Sequence, residues 1–354
     1  MEKEVVIIDA SVLQNYVQEL FKSSRVNTED SEFIAKALVD SNLYGIDSHG
    51  VMRVPIYIKR FLNKAVTLNP NFKFNNTGKA IEIMDGDNGS GIIVGKKAME
   101  KAIELAKSFG VGVVGVKRSN HYGACAIYTR MAVEEGMVGI SMTNVKPLII
   151  APGAEKPVVG NNPFSIAIPT YNDFPFMLDM ALSVVAGGKL SLAIKKGEKI
   201  PKNWATDKNG RPTDDPKEAF AGYLLPMGEY KGLGLAYAID MLSGLLTGAE
   251  FGYGVQSMYE KPEEPSHTGH MMIAINVDKI IGKDQIKERM KRYHDDLMNT
   301  PMWDENKKMY FPGELESILY KQRKEEGIPI PIKIHEELEE LGRQLGFNKS
   351  LEYI

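Results

Sequence analysis

Apolar positions along the chain change their period twice. Between residues 10 and 44 they recur every three to four positions, which predicts two helices; Asn27 or Thr28 suits the N-cap of the second, and Gly45 its C′ position. A third helical stretch, Val54 to Lys64, follows the tetrapeptide DSHG. From about residue 78 the pattern becomes that of an α/β protein. AIEIMDGDNGSG reads as a strand ending in a turn, and KKAMEKAIELAKSF as a helix with Met99, Ala102, Ile103, Ala106 and Phe109 along one face. A β-branched strand (Val111 to Lys117), a helix (Ala124 to Glu135, closed by Gly136) and a strand (Val138 to Thr143) then form a βαβ unit. SIAIPT, FPFMLDM and MMIAINV are further strands, while the turn-rich KNWATDKNGRPTDDP (202–216) predicts a surface loop. Beyond Gly282 the helical period returns, and after Pro329 and Pro331 it places Ile334, Leu338, Leu341 and Leu345 on one stripe. The outline is helical ends around an α/β middle.

This order of elements decides how GVGVVG, residues 110–115, is read. A dinucleotide fingerprint needs its glycines after a strand and at the start of a helix, whose N-terminus faces the pyrophosphate. Here the order is reversed: Gly110 stands where a helix C′ glycine belongs, and Gly112 and Gly115 fall inside the next strand. The motif is a helix stop followed by a closely packed strand.

Charge and composition remove other classes. The 354 residues carry a formal net charge of −3 with no block of like charges, which gives no footprint for nucleic acid or an anionic membrane. Cys125 is the single cysteine, so an intrachain disulfide and a cysteine metal cage are excluded. The N-terminus lacks the apolar core of a signal peptide, and the apolar run Leu233 to Leu246 is too short and interrupted to span a bilayer. A soluble cytoplasmic protein is expected.

Two polar constellations stand out. RSNHYG places His121 beyond the carboxyl end of a strand and before a helix, where open α/β sheets hold ligands. DSHGVMRVPIYIKR supplies Ser48, His49, Arg53 and Tyr57, the last three at a spacing of four. Pro55 requires the helix to start near Val54 or to be kinked there. The bland reading of this segment is a solvated face with an N-cap serine. The functional one is a proton-transfer histidine beside an arginine that clamps a carboxylate. Metal chemistry has a weaker case. His267 and His270 have H-x-x-H spacing without an obvious third ligand, and HEELEE at His335 lacks a second histidine, so both read as surface features. Cys125 reads as a small core residue.

DSHGVMR, MDGDNGSGIIVGKKAM, RSNHYG, GNNPFSIAIP, LDMALS, DKNGRPTDDP and YKGLGLA occur in that order over roughly residues 10–345. Together they resemble the malate/L-lactate dehydrogenase family that does not use the Rossmann fold, whose relatives include sulfolactate and ureidoglycolate dehydrogenases and reductases of diketogulonate and cyclic imino acids. The resemblance implies an α/β non-Rossmann dinucleotide-binding fold with a mixed central sheet, plus a helical domain from both chain ends. The expected divisions are an N-terminal helical domain with the SHG segment (1–75), a central cofactor- and substrate-binding region (76–282) and a C-terminal helical segment packing back on the first (283–354). It further implies NAD(P)-dependent hydride transfer with a 2-hydroxy or 2-oxo acid such as malate or lactate. Alternatives are reduction of a cyclic imino acid or a sugar-derived 2-oxo acid, or a non-catalytic nucleotide-binding relic.

Matched position by position, the family motifs imply that His49, Arg53 and Tyr57, with Ser48, form the catalytic group together with His121. Of the two histidines His49 is favoured as the proton-transfer group. On the cofactor side the matches are Asn120, His121, Asp179, Met180, Ala181, Lys231 and the turn Pro312, Gly313, Glu314, with NAD or NADP as cofactor and no metal. The family further implies a homodimer whose active site is completed across the interface. The chain departs from many relatives at PMGEYKG, where they have a glycine-rich loop before the lysine, and at LSVVAGGK.

Overall fold

In the computed structural model, which describes residues 5–170, 173–347 and 349–354, strand β1 (Val5–Ile8) leads into helices α1 (Ala10–Ser23) and α2 (Thr28–Leu43). Both helices begin at polar caps. The Asp9 carboxylate accepts from the N–H groups of Ser11 and Val12, and the Asn27 side chain accepts from that of Asp30. Two single 3-10 turns, Asp47–His49 and Val51–Arg53, precede α3 (Val54–Leu62), which has Pro55 in its first turn. The proline therefore starts the helix and does not kink it, because the N–H it lacks would have no intrahelical partner there.

The α/β middle opens with β2 (Lys73–Gly78), β3 (Ile81–Asp85), α4 (Gly91–Phe109), β4 (Val111–Ser119), α5 (Ala126–Glu134) and β5 (Met137–Thr143). Short strands β6 (Ile149–Ile150) and β7 (Pro157–Val159) precede β8 (Phe164–Ile168) and β9 (Phe176–Met180). Then come α6 (Gly187–Lys196), β10 (Ala205–Thr206), α7 (Pro216–Ala221), β11 (Tyr223–Leu224), α8 (Tyr230–Asp240) and β12 (Thr268–Asn276). The chain ends with α9 (Lys283–Met298), α10 (Glu314–Glu326), β13 (Ile328–Pro331) and α11 (Ile332–Gln344).

The main sheet has seven strands in the order β2-β3-β4-β12-β5-β8-β9. Only β3 and β4 pair in parallel, joined by α4 as the crossover; the other neighbours are antiparallel, so the sheet is mixed. The β4-α5-β5 segment is a split unit, a correction to the simple βαβ expected of it. Its strands are not neighbours, because β12, which arrives over a hundred residues later, is hydrogen-bonded between them. A four-stranded sheet, β10-β11-β6-β7, lies apart, and β1 pairs with β13 from Val5↔Pro331 to Ile8↔Ile328, tying the two ends of the chain together.

The glycines of the opening G-x-G-x-x-G have structural work. Gly110 caps α4 at φ 88°, with its N–H donating to Ala106. At Gly112 a Cβ would lie 2.0 Å from the Ala102 carbonyl oxygen, so only glycine lets α4 pack this closely on β4. Along α4, Met99, Ala102, Ile103 and Ala106 are buried as their spacing predicts, but Phe109 is 50% exposed, because it is the last residue before the chain turns into β4.

Two expectations of surface location fail, and that for residues 202–216 holds only outside a short buried part. Residues 202–216 contain β10, whose Ala205 and Thr206 are buried through pairing with β11. His270 lies in the central strand with no exposed surface. His335 is buried on α11, where the Leu351 carbonyl, 2.8 Å from its Nε2, accepts its hydrogen bond. Cys125 is buried, as a core residue should be.

Candidate active site

The SHG turn is held from behind. Asn42, on the last turn of α2, accepts from the Val51 N–H through Oδ1 at 2.9 Å and donates from Nδ2 to Asp47 at 2.7 Å. Arg323 on α10 adds a two-pronged ion pair to the same Asp47, at 2.7 and 3.1 Å. Gly50 follows from this arrangement: a Cβ there would lie 2.1 Å from Asn42 Oδ1. Ser48 caps no helix; its Oγ lies 3.0 Å from His49 Nδ1.

The end of β4 is held just as firmly. Asn120 spends its whole carboxamide inside the chain, accepting from Arg60 and the Ser266 N–H, and donating to the carbonyls of Asn88 and Gly89. Arg60 is 2% exposed and also reaches Ser266 Oγ and the Glu264 carbonyl. Burial lowers its affinity for the proton to about 10, so it stays charged at neutral pH.

These two supports bring His121 to the SHG segment. The rings of His49 and His121 stack with centroids 5.7 Å apart and planes 8° from parallel. Tyr57 is buried, and burial raises its hydroxyl well above the usual phenol range. It therefore keeps its proton and donates it to His121 Nδ1 at 2.6 Å. The Gly123 N–H also faces Nδ1, at 3.4 Å. With two donors on Nδ1, the neutral imidazole must carry its proton on Nε2. His49 has only the Ser48 hydroxyl, which can donate or accept, so both tautomers are open to it.

Both histidines are biased toward the neutral form. Burial first, then the neighbouring Arg53, pushes His49 down to about 4. Burial, His49 and the arginines take His121 well below the ordinary range. Arg53 donates from Nε to the Ser48 carbonyl at 2.7 Å, and its guanidinium lies over the Tyr259 ring at 5.5 Å. Among the described residues no carboxylate pairs with Arg53, and its two terminal nitrogens have no hydrogen-bond partner there. The fork that grips a carboxylate is free.

The residues expected on the cofactor side gather around edge strand β9. Asp179 accepts from the Ala126 N–H at 2.9 Å, which joins β9 to the N-terminus of α5, five residues beyond His121. Burial outweighs that bond and pushes the Asp179 carboxyl up to about 6. Met227 N–H donates to the Leu182 carbonyl and Val184 N–H to that of Leu225, which ties the segment leading into α8, whose Lys231 is exposed, to residues 182–184 just after β9. On the other side of β9, Met177 N–H donates to the Pro312 carbonyl at 3.0 Å, and Gly313 turns at φ 95° against Pro175. Glu314 caps this turn through the Phe311 N–H.

A nicotinamide dinucleotide needs acceptors for ribose hydroxyls and a cation for phosphate. Among the described residues one Asp179 oxygen has no partner, and no carboxylate pairs with Lys231. The donor set fits.

Sequence reasoning passed over Arg60 and took His270 for a surface residue. Arg60 is three residues beyond Tyr57, in the same YIKR segment, and its apolar neighbours were the only sign of its burial.

The sequence pattern of the malate/L-lactate dehydrogenase family matches residues 8–339. A malate dehydrogenase of Pyrococcus abyssi is 37% identical over 98% of this chain and 97% of its own. The ureidoglycolate dehydrogenase (NAD+) of Escherichia coli K12 is 33% identical over 94% of each. The solved structure of sulfolactate dehydrogenase from Methanocaldococcus jannaschii superposes with a TM-score of 0.91 at 37% identity, covering 97% of this chain and 98% of that one. The class is that of dehydrogenases acting on 2-hydroxy acids, with a nicotinamide cofactor. The chain belongs to the malate/L-lactate dehydrogenase family.

Proposed function

We propose that this enzyme transfers hydride between a nicotinamide dinucleotide and C2 of a small 2-hydroxy or 2-oxo acid of the malate or lactate type, with Arg53 holding the acid and the two histidines handling the proton. The observation that carries the proposal is the free Arg53 fork beside a pair of neutral imidazoles with different tautomeric freedom. The bound cofactor accepts or supplies the hydride. Asp179, with Met180 and Ala181, would hold the ribose side, Lys231 would supply a cation for phosphate, and the Pro312–Glu314 turn beside β9 would border the dinucleotide.

The chain's own residues do the rest. Arg53 binds the substrate carboxylate with its two terminal nitrogens, which fixes C2 and its oxygen. His121, locked with its proton on Nε2, donates a hydrogen bond to that oxygen and stabilises the charge that grows on it. His49 is the acid-base group. As a neutral imidazole it takes the hydroxyl proton during oxidation and returns it during reduction. Burial is the larger cause that depresses His49 and the Arg53 charge the smaller; the substrate carboxylate offsets the Arg53 part, and to that extent substrate binding makes His49 a better base.

The proposal includes a homodimer. Its support is an exposed apolar stretch in α8 and the turn after it: Leu235, Tyr237, Met241, Leu242, Leu245 and Leu246. Steady-state kinetics of His49→Asn and His121→Asn test the chemistry. Each is expected to fold and bind cofactor but lose about 10²–10⁴-fold in kcat. Turnover within twofold of wild type in both variants would remove the histidine pair from the reaction.

A further inference from the structure

One step behind His121 lies a buried polar cluster that the reaction itself does not use. His270 stands at the start of the central strand β12, where a bulge between Thr268 and His270 shifts the register against β4. Its Nδ1 is 2.8 Å from Thr143 Oγ1 at the end of β5, and its Nε2 is 2.7 Å from Ser119 Oγ at the end of β4. One ring thus joins the three central strands where they meet the site.

The Thr143 hydroxyl faces the carbonyls of Gly269 at 3.0 Å and Asn144 at 3.2 Å, while the carbonyl nearest Ser119 Oγ is that of Asn120 at 3.5 Å, so the arrangement favours Thr143 giving its proton to a carbonyl and accepting from the ring. His270 then carries its proton on Nδ1, and Nε2 accepts from the Ser119 hydroxyl. Burial keeps the ring neutral, its proton affinity pushed down to about 3. The ring also lies flat on Tyr122, with centroids 4.4 Å apart and planes 5° from parallel, and Tyr128 covers the other side of Tyr122 at 4.8 Å. The Tyr122 hydroxyl in turn contacts Cys125 Sγ and Ser141 Oγ.

Ser119 precedes His121 by two residues and Tyr122 follows it by one. We propose that His270 is a positioning residue for the reaction: gripping Ser119 and stacking on Tyr122, it fixes the backbone on both sides of His121 and so fixes the angle at which His121 meets the substrate. This rests on the reading of His121 as the donor to the reacting oxygen. His270 touches neither substrate nor cofactor. Its effect passes through His121 alone.

Two variants separate this from a role in stability. His270→Phe keeps a flat ring on Tyr122 and removes both hydrogen bonds; Ser119→Ala keeps the imidazole and removes one. In the full-length enzyme His270→Phe is expected to lower kcat about tenfold or more, and Ser119→Ala severalfold, with KM for the acid and cofactor Kd within about threefold of wild type. Each is then combined with His121→Asn. If His270 works through His121, neither change lowers kcat further in that background. Losses that multiply in full, or wild-type kcat in folded His270→Phe or Ser119→Ala, overturn the proposal. Where His270→Phe fails to fold, the Ser119→Ala pair decides by the same criterion. Wild-type turnover of His121→Asn by itself would overturn the reading of His121 instead, and needs no His270 variant to be seen.

Discussion

In the proposed mechanism the choice of substrate turns on Arg53. Its guanidinium is committed only through Nε, so an incoming carboxylate meets a preformed fork with no internal ion pair to break. Arg53→Ala is expected to raise KM for the acid and to lower kcat/KM by about 2–4 kcal/mol, the order for losing a charged clamp at the reacting group. Kinetics within twofold of wild type would take Arg53 out of the site. His49 makes a second prediction. As the proposed base, His49 must be neutral to accept a proton, and burial with the neighbouring Arg53 pushes it down to about 4. The kcat/KM for oxidation should therefore be flat through pH 6–8 as far as His49 decides it, and fall only toward and below about 4. The kcat profile, which reports the complex, should break at higher pH, because the bound acid offsets Arg53. Identical breaks in the two profiles would contradict the link between Arg53 and His49. That His49, Arg53 and Tyr57 lie on one short segment was legible in their spacing, although two 3-10 turns and the start of α3, not one helix, carry them. That His121 stacks on it was not, since the contact joins residues over seventy positions apart.

Among the elements, α4 and β4 show what the sequence allows and where it stops. The order helix, glycine, strand was enough to dismiss the G-x-G-x-x-G, and the close approach at Gly112 supplies the reason for the glycine. Gly112→Ala should lower the melting temperature and leave cofactor Kd nearly unchanged in whatever folds. Loss of cofactor binding with unchanged stability would mean that the glycines were a phosphate loop after all. The β12 strand was harder to read. A strand buried on both faces carries no alternation, so MMIAINV gave a strand without giving its neighbours. Its first residues, including His270, fell outside the apolar run, and His270 read as a surface feature. Its place between β4 and β5 turns on pairing across more than a hundred residues, which no local pattern encodes.

At the scale of the whole molecule, acid should unfold the protein for an identifiable reason. His49, His121 and His270 all have folded-state values below the ordinary histidine value of about 6.5, so the unfolded chain binds their protons more readily. Their contribution to stability is present above about 6.5 and is lost as pH falls toward 4 and then 3. Asp179 acts in the opposite sense: raised to about 6, it binds its proton more readily in the folded state and offsets one of the three between about 6 and 4. Net proton uptake on unfolding near pH 5, seen as a melting temperature that falls with acidification, is the expected result; a melting temperature that is flat or rises from pH 7 to 4 would contradict it. Light scattering should find a dimer that buries the apolar stretch of α8, and a fully active monomer would contradict that assembly.

The most direct test of the account is turnover itself. Purified enzyme is given NADH or NADPH and a panel of 2-oxo acids alongside cyclic imino acids, and loss of the reduced nicotinamide is followed by absorbance. The account predicts saturable reduction of at least one 2-oxo acid, reversed by the matching 2-hydroxy acid with oxidised cofactor, and abolished in Arg53→Ala together with His49→Asn. Turnover of cyclic imines alone, or of no 2-oxo acid with either cofactor, would contradict it.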